Sequence, residues 1–323
     1  MGELQLLTNS KRATFNDCAR KFYFAHELNR RPVKVSEALR FGTLVHKMLE
    51  HHFRGKGHVD LIAASQESDP YEVVRAAALM DGYAKYYEAN TAYTTVAVEQ
   101  EYRAPLINPK TGAASRTWLL AGKIDAIVKD ADGRHIIVEH KTTSDSLSPD
   151  SDYWTILSIN AQISGYNVGA EARGHKVDHC LWDAIHKPGQ RPLMATPEEQ
   201  RKFTKDGRLY AAQRLEDETP EEYYDRVLAA IMESPEKYYV RREVVRMHDD
   251  IVDYMFDMWW TGLMIRQCQL ENRWPRNVGA CKRYGTCEYL PVCTNCANID
   301  DDRLFTTVDP NPELSTTNNK GDF

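Results

Sequence analysis

The stretch Thr117–Thr143, TWLLAGKIDAIVKDADGRHIIVEHKTT, limits the possible folds more than any other part of the chain. Two apolar runs, Trp118–Val128 and His135–Val138, flank Asp130-Ala-Asp-Gly133, which reads as a β-hairpin turn. A turn centred near Ala131 or Asp132 sets Asp125 on the first strand opposite or diagonal to Glu139 on the second. A side-chain period of two then places Glu139 and Lys141 on one face of their strand and His140 on the other. Two carboxylates and an ammonium at the end of otherwise apolar strands are costly to bury without a counter-ion. A divalent cation is the natural one.

The chain has 323 residues, 42% hydrophobic and 27% charged, which suits a soluble globular protein of one large domain or two modest ones. No apolar run approaches the ~20 residues of a membrane span, and no basic-then-apolar leader opens the sequence, so a cytoplasmic setting is expected. A net charge of −6 argues against a generally sticky nucleic-acid binder. The charge is unevenly spread, however: from Ser10 to Lys47 nine Lys or Arg stand against three acids, while acids collect at Glu216–Glu236 and Asp300–Asp302. Seven cysteines are present, four of them within the sixteen residues Cys281–Cys296. A reducing cytosol argues against a disulfide framework, which leaves metal or cluster ligation as the leading explanation.

Periodicity and capping signals predict helices over 8–30, 37–53, 70–89, 153–173, 220–233 and 248–269, with strands over 94–106, 177–185 and 238–247 around the hairpin. On the second helix, Ser36 is the cap, and Leu39, Thr43, His46 and Glu50 recur on one side. Gln162 and Tyr166 stand one turn apart on the fourth. Strands interleaved with helices imply an α/β or α+β sheet domain with helical additions at both ends. The expected division is a single domain over 1–299, with a helical region at 8–90, a sheet core at 94–247 and a helix-plus-cysteine segment at 248–296. An acidic, flexible tail follows over 300–323.

Five elements occur in a telling order: F-N-D-C-A-R-K-F-Y-F around Cys18, F-G-T-L-V-H ending at His46, G-K-I-D ending at Asp125, V-E-H-K ending at Lys141, and Gln162-x-x-x-Tyr166. With the closing C-K-R-Y-G-T-C-E-Y-L-P-V-C, they resemble the RecB-like branch of the PD-(D/E)XK nuclease superfamily, the branch of CRISPR-associated RecB-like exonucleases, the AddB nuclease domain and related phage nucleases. The resemblance implies a restriction-endonuclease-like mixed sheet flanked by helices. It also implies that Asp125, Glu139 and His46 bind Mg²⁺ or Mn²⁺, that Lys141 orients the attacking water or stabilises the phosphorane, and that Gln162 and Tyr166 lie over the site.

In the cysteine-bearing members one N-terminal and three C-terminal cysteines hold a [4Fe–4S] cluster. Cys18, Cys281, Cys287 and Cys293 fit that plan, although the first C-terminal gap is five residues instead of the usual two. Zn²⁺ is the alternative metal and Cys296 the alternative ligand. The activity implied is a metal-dependent deoxyribonuclease, an exonuclease on single strands or DNA ends in recombination, repair or CRISPR-related processing. The basic N-terminal helices and Arg266, Arg273, Arg276, Lys282 and Arg283 are candidates for phosphate contacts, and Phe22, Tyr23 and Phe24 for stacking. With no nucleotide-binding G-x-x-x-x-G-K-[ST] loop in the chain, a helicase or recombination partner would have to drive any translocation. The rival readings are a catalytically degenerate DNA-binding subunit and a zinc-stapled restriction or defence endonuclease.

Overall fold

The computed structural model describes residues 4–57, 69–88, 93–283 and 285–314. The hairpin forms as its turn residues dictate. Strands β3 (Thr94–Ile107), β4 (Ala114–Lys129) and β5 (His135–Thr143) run antiparallel in succession. Between β4 and β5 the Asp130 carboxylate accepts the amides of Asp132 and Arg134, and Gly133 takes the left-handed φ of 79° that closes the turn. The ladder between β4 and β5 runs only from Lys129/His135 to Ala126/Val138. Further along the same edge, β1 (Gln5–Leu7) pairs in parallel with Trp118–Leu120. Asp125 is therefore the first residue past the fork at which β5 leaves β4.

Two more strands complete the mixed sheet. β6 (Val177–His186) lies parallel to β5 and β7 (Tyr239–Val244) antiparallel to β6, giving the order β1-β4-β5-β6-β7 with β3 on the other edge of β4. The restriction-endonuclease-like architecture inferred from the sequence is thus the one observed.

At the N-terminus the chain departs from the single helix expected over 8–30. Helix α1 (Asn9–Asp17), capped by Thr8, stops at Cys18, whose backbone is extended (φ −161°, ψ 117°), and α2 (Ala19–Phe22) continues into a π-turn over Tyr23–Glu27. The break has a visible cause: the Asn277 side chain donates to the Asp17 carbonyl and the Arg20 amide donates to the Pro275 carbonyl, so a distant segment inserts into the helical ladder.

Helix α3 (Glu37–Phe53) is capped by the Ser36 hydroxyl, which accepts the Leu39 amide. Its apolar face, Phe41, Leu44, Val45, Met48 and Leu49, packs with α4 (Pro70–Glu88). The other side of α3 carries His46. The helix expected over 153–173 is likewise two, α5 (Asp152–Leu157) and α6 (Ala161–Ala172). Arg246 binds the carbonyls of Leu157 and Asn160, and the Asn160 side chain caps the Gln162 amide, which restarts the helix at a new angle. Helix α6 lies close on the sheet because Gly169 faces the ring of Tyr102, where a Cβ would come within 2.4 Å of a ring carbon.

Helix α7 (Pro220–Glu233), started by a Thr219/Glu222 capping box, joins α3 and α4 in one core. Helix α8 (His248–Glu271) presents Tyr254, Met258 and Ile265 to a second core containing Leu7, Phe15, Phe22 and Trp118. Short α9 (Leu290–Cys293) follows. The expectation of a loose tail needs correction for residues 300–314: β8 (Phe305–Thr307) pairs with β2 (Arg30–Pro32), Asp302 bonds Arg30, and Phe305 and Leu314 are buried. The run is acidic, yet two buried apolar side chains and a strand pairing hold it down. Residues 315–323 of that expected tail lie outside the described residues.

Behind β5 lies a buried polar network that the sequence did not reveal. Asp183, fully buried on β6 beside His140, accepts from Tyr83 Oη at 2.5 Å and lies 3.2 Å from both His140 Nδ1 and Arg241. Burial pushes its carboxyl up, but Arg241, His140 and Tyr83 outweigh it and hold the group at about 2. Because the folded value lies below the unfolded one, this contribution is fully present above the ordinary carboxylate range and is lost as the pH falls toward about 2. Replacing Asp183 by Asn leaves Arg241 uncompensated and should cost about 3–5 kcal/mol at neutral pH. Urea unfolding between pH 2 and pH 5 should show a steep acid loss in the wild type and a flatter profile in the variant.

Candidate functional site

The fork between β4 and β5 gathers the sequence-predicted carboxylates. In the register of Ala126 with Val138, Asp125 and Glu139 are the next pair, just beyond the last ladder bond. The His140 amide, freed at that point, donates to Asp125 Oδ2 at 3.0 Å and fixes that carboxylate. From α3, His46 Nδ1 approaches the same oxygen to 3.7 Å. His46, Glu50, Phe53, Glu99, Asp125 and His140 line a narrow cleft between α3 and the sheet. Lys141 Nζ is 2.6 Å from Glu139 Oε1.

Glu139 is 1% exposed, and neither of its oxygens accepts a hydrogen bond of acceptable geometry; its contact is the ion pair with Lys141. Burial first, and then the negative charge of Asp125, raise its carboxyl to about 7 in spite of Lys141. Burial raises Asp125 as well, against the opposing pull of His140 and Lys141. Burial acts to lower Lys141, but Glu139 and Asp125 prevail and the ammonium is held above its ordinary value. The pairing with Lys141 is thus favourable in itself, while the site as a whole carries more negative charge than its surroundings can stabilise. Burial and the charges of His140 and Lys141 keep His46 below its ordinary value, so its imidazole is neutral at neutral pH.

Helix α6 covers the fork. Gln162 Nε2 donates to Tyr166 Oη at 2.6 Å, and the Tyr166 phenol is pushed up by burial and by the charges of Glu139 and Asp125, which face it. Gln162 and Tyr166 thus lie on the helix over the fork that carries Asp125, Glu139 and Lys141. Trp182, paired with Glu139 across β5 and β6, lies 5.7 Å under Lys141 and donates to Tyr153 Oη. Neither Trp182 nor Tyr153 was identifiable beforehand, because no spacing in the sequence links α5 or β6 to the hairpin. Glu99, on β3, also enters the cleft.

Oxygen donors from Asp125 and Glu139 with a neutral imidazole from His46 suit a hard divalent cation such as Mg²⁺ or Mn²⁺. The buried Glu139 carboxylate, whose one partner is the Lys141 ammonium, is the observation that favours one. Among the described residues no three His, Cys, Asp or Glu side chains are gathered closely enough to hold an ion as they stand. Lys141 is at Glu139 in place of a cation.

The cysteines divide in two. Cys18 Sγ accepts the Asn277 amide at 3.4 Å, and Cys281 Sγ contacts the Asn277 carbonyl at 3.8 Å. Burial raises the Cys293 thiol, with Cys18 and Cys281 adding to the effect; burial likewise raises Cys287, with Cys281 adding to it. Cys18 and Cys281 thus both meet Asn277, but no three of these four thiols are gathered closely enough to hold an ion as they stand. Cys296 is exposed and turned to the Thr294 carbonyl, while Cys180 is buried in β6. The stacking candidates are mainly core: Phe22 and Phe24 are buried, and half-buried Tyr23 stacks on Trp274. Several of the basic residues are already paired, Arg12 with Asp257, Lys21 with Glu288, Arg30 with Asp302 and Arg283 with Asp17.

No curated protein matches the sequence significantly. Among solved structures, one titled "Crystal structure of SSO0001" aligns over 92% of this chain and 90% of its own at 14% identity, with a TM-score of 0.34, too loose a superposition to carry an argument. The family model of the PD-(D/E)XK nuclease superfamily matches residues 7–294, a span that takes in strands β3 to β7 of the mixed sheet and the fork with its acidic pair. The chain belongs to the PD-(D/E)XK nuclease superfamily.

Proposed function

We propose that this protein is a divalent-metal-dependent deoxyribonuclease whose active site is the fork between β4 and β5, acting as an exonuclease on single strands or DNA ends. The observation that carries the reading is the pair Asp125 and Glu139, side by side at the end of a hairpin, Glu139 buried and Asp125 largely so, with Lys141 the one partner of Glu139. Asp125, Glu139 and His46 would hold Mg²⁺ or Mn²⁺. The ion would supply a bound water of lowered pKa and neutralise phosphoryl charge.

The remaining chemistry belongs to the chain. Lys141, held protonated, is unsuited to be a general base; its ammonium offsets the charge that grows on the phosphate oxygens. The His140 amide keeps Asp125 oriented. Gln162, locked to Tyr166, offers the scissile phosphate a donor from the α6 side while α6 excludes bulk water. A catalytically degenerate DNA-binding subunit would have no need of so costly an acidic pair.

At the other end of the molecule we assign Cys18, Cys281, Cys287 and Cys293 to one [4Fe–4S] cluster. The assignment is supported by the contacts that Cys18 and Cys281 share with Asn277 and by the role of this region: the segment that leads into the last three cysteines also holds the break between α1 and α2. Four thiolates suit Zn²⁺ equally well in number, so the metal is decided by measurement.

Digestion of end-labelled single- and double-stranded DNA with Mg²⁺ or Mn²⁺ tests the activity. Asp125→Ala and Lys141→Ala should each lose about 10²-fold or more in rate. Equal activity in all three proteins would refute the site. Release of mononucleotides from the labelled end supports exonucleolytic action, whereas a ladder of internal products supports the endonuclease alternative. Anaerobically purified protein should be brown and contain about four iron atoms per chain, lost on Cys18→Ser. A colourless protein with stoichiometric zinc would replace iron by zinc.

A further inference from the structure

Past the fork, the sheet face that carries Lys141 leads to a cavity that the proposed chemistry does not use. Glu139, Lys141 and Thr143 alternate onto one face of β5, and their register partners Trp182, Ala184 and His186 lie on the same face of β6. His186 lines a cavity of about 790 Å³, enclosed by the loop that leaves β5 (146–149), by Gly189 and Gln190 after β6, and by residues 236–238 ahead of β7. The Thr143–His186 pair stands about 7 Å along the strands from the pair of Lys141 with Ala184. The cavity thus begins one side-chain step beyond the catalytic lysine.

Its walls are held in place from behind. Trp154 Nε1 donates to the Leu147 carbonyl at 3.2 Å, and Arg242 donates to the Pro149 carbonyl at 3.1 Å. On the other side Tyr223 Oη donates to the Gln190 carbonyl at 2.7 Å, and the His186 amide donates to the Tyr238 carbonyl at 2.8 Å. A pocket supported in this way does not have to form when a ligand arrives.

Three features narrow the occupant. Buried Leu147 and the half-buried rings of His186 and Tyr238, whose centroids lie 6.2 Å apart, offer apolar and aromatic surface to a flat ring. Gln190 Nε2 donates to Tyr238 Oη at 3.2 Å, while its Oε1 is shielded from solvent and has no partner. Whichever way the carboxamide is turned, one end meets the phenol and the other is left for a ligand. Glu236 offsets Lys237 in the lining, which leaves no cationic cluster to hold a phosphate. A flat, uncharged ring with donors and acceptors on its edge, within reach of a phosphodiester at the fork, is a nucleobase.

We infer that this cavity receives an unpaired base of the DNA strand whose phosphate lies at the fork, stacked against His186 and Tyr238 and hydrogen-bonded by Gln190. The inference rests on the nuclease reading of the fork and gives it a substrate class, because a base can enter only where the strand is single or opened. The phosphate stays with Lys141, and the base is held one step along the sheet.

Fluorescence anisotropy in metal-free buffer, where nothing is cut, tests it with two labelled strands of equal length, an oligothymidylate and its fully abasic counterpart. Wild type should bind the oligothymidylate ~10-fold or more tightly than the abasic strand. His186→Ala and Gln190→Ala should each lose most of that preference while binding the abasic strand as wild type does. Both variants binding the oligothymidylate as wild type does, or losing both strands equally, would overturn the base site, and the nuclease reading would stand as long as Asp125→Ala still abolishes cleavage. Calorimetry with thymidine monophosphate separates the sources of the base: a free nucleotide bound by wild type and lost in Gln190→Ala, without any effect of that variant on the strand, would make the cavity a product site and overturn the assignment. A wild type that binds neither strand would overturn the base site and the nuclease reading together.

Discussion

Two carboxylates side by side at a strand fork, one buried and the other largely so, are the constraint on which the rest of this structure depends. Asp125 and Glu139 meet because the hairpin turn at Asp130–Gly133 sets their register, and they are left unsupported because β5 parts from β4 immediately beyond Ala126 and Val138. At such a place repulsion and desolvation both work against ionisation, and the structure answers with two nearby ammonium groups, one backbone amide and a covering helix. The cost is tolerable only because the surrounding frame is rigid. The apolar residues on either side of the fork, Ile124, Ile127, Ile137 and Val138, are almost wholly buried.

That frame is fixed behind the site by a different kind of interaction. Asp183, in register with His140, ties Tyr83 of α4, His140 of β5 and Arg241 of β7 into one buried node. Here three partners converge on one carboxylate oxygen and hold the group strongly acidic, while Glu139 on the neighbouring strand is raised toward neutrality. Two adjacent strands thus show opposite solutions to burying a charge. The node favours a single arrangement, and the fork keeps charge available for a ligand.

Much of the site was legible because strand geometry is local. A period of two and a two-to-four-residue turn suffice to put Asp125 opposite Glu139 and Lys141 beside it, and i,i+4 spacing suffices to join Gln162 to Tyr166. His46 could be placed beside them only by resemblance, since the polar side of α3 gives no hint of which neighbour it will meet. What escaped the sequence reading was set by distant contacts. The breaks after Asp17 and Leu157 follow from Asn277 and Arg246, whose partners lie far along the chain. The packed segment 300–314 follows from pairing with Arg30–Pro32, which outweighs its acidic composition. Glu99 needed the β3–β4 register before its place in the cleft could be seen.

The cysteines proposed to hold a cluster bear on the same frame. Cys18 stands where α1 breaks, and Asn277 and Pro275, close to Cys281, occupy the hydrogen bonds that the helix gave up. A metal group at that junction would tie the first helices to the end of the chain at the one point where the local ladder is interrupted.

The central claim is that the fork holds more negative charge than the protein alone can stabilise. Carbon-13 carboxyl NMR of selectively labelled protein, with Glu139→Gln to assign the resonance, measures this directly. Without metal, Glu139 should titrate at about 7, and saturating Mg²⁺ should move that transition below the ordinary carboxylate range. A Glu139 that titrates in the ordinary range without metal, or whose transition does not move on adding Mg²⁺, would contradict the account.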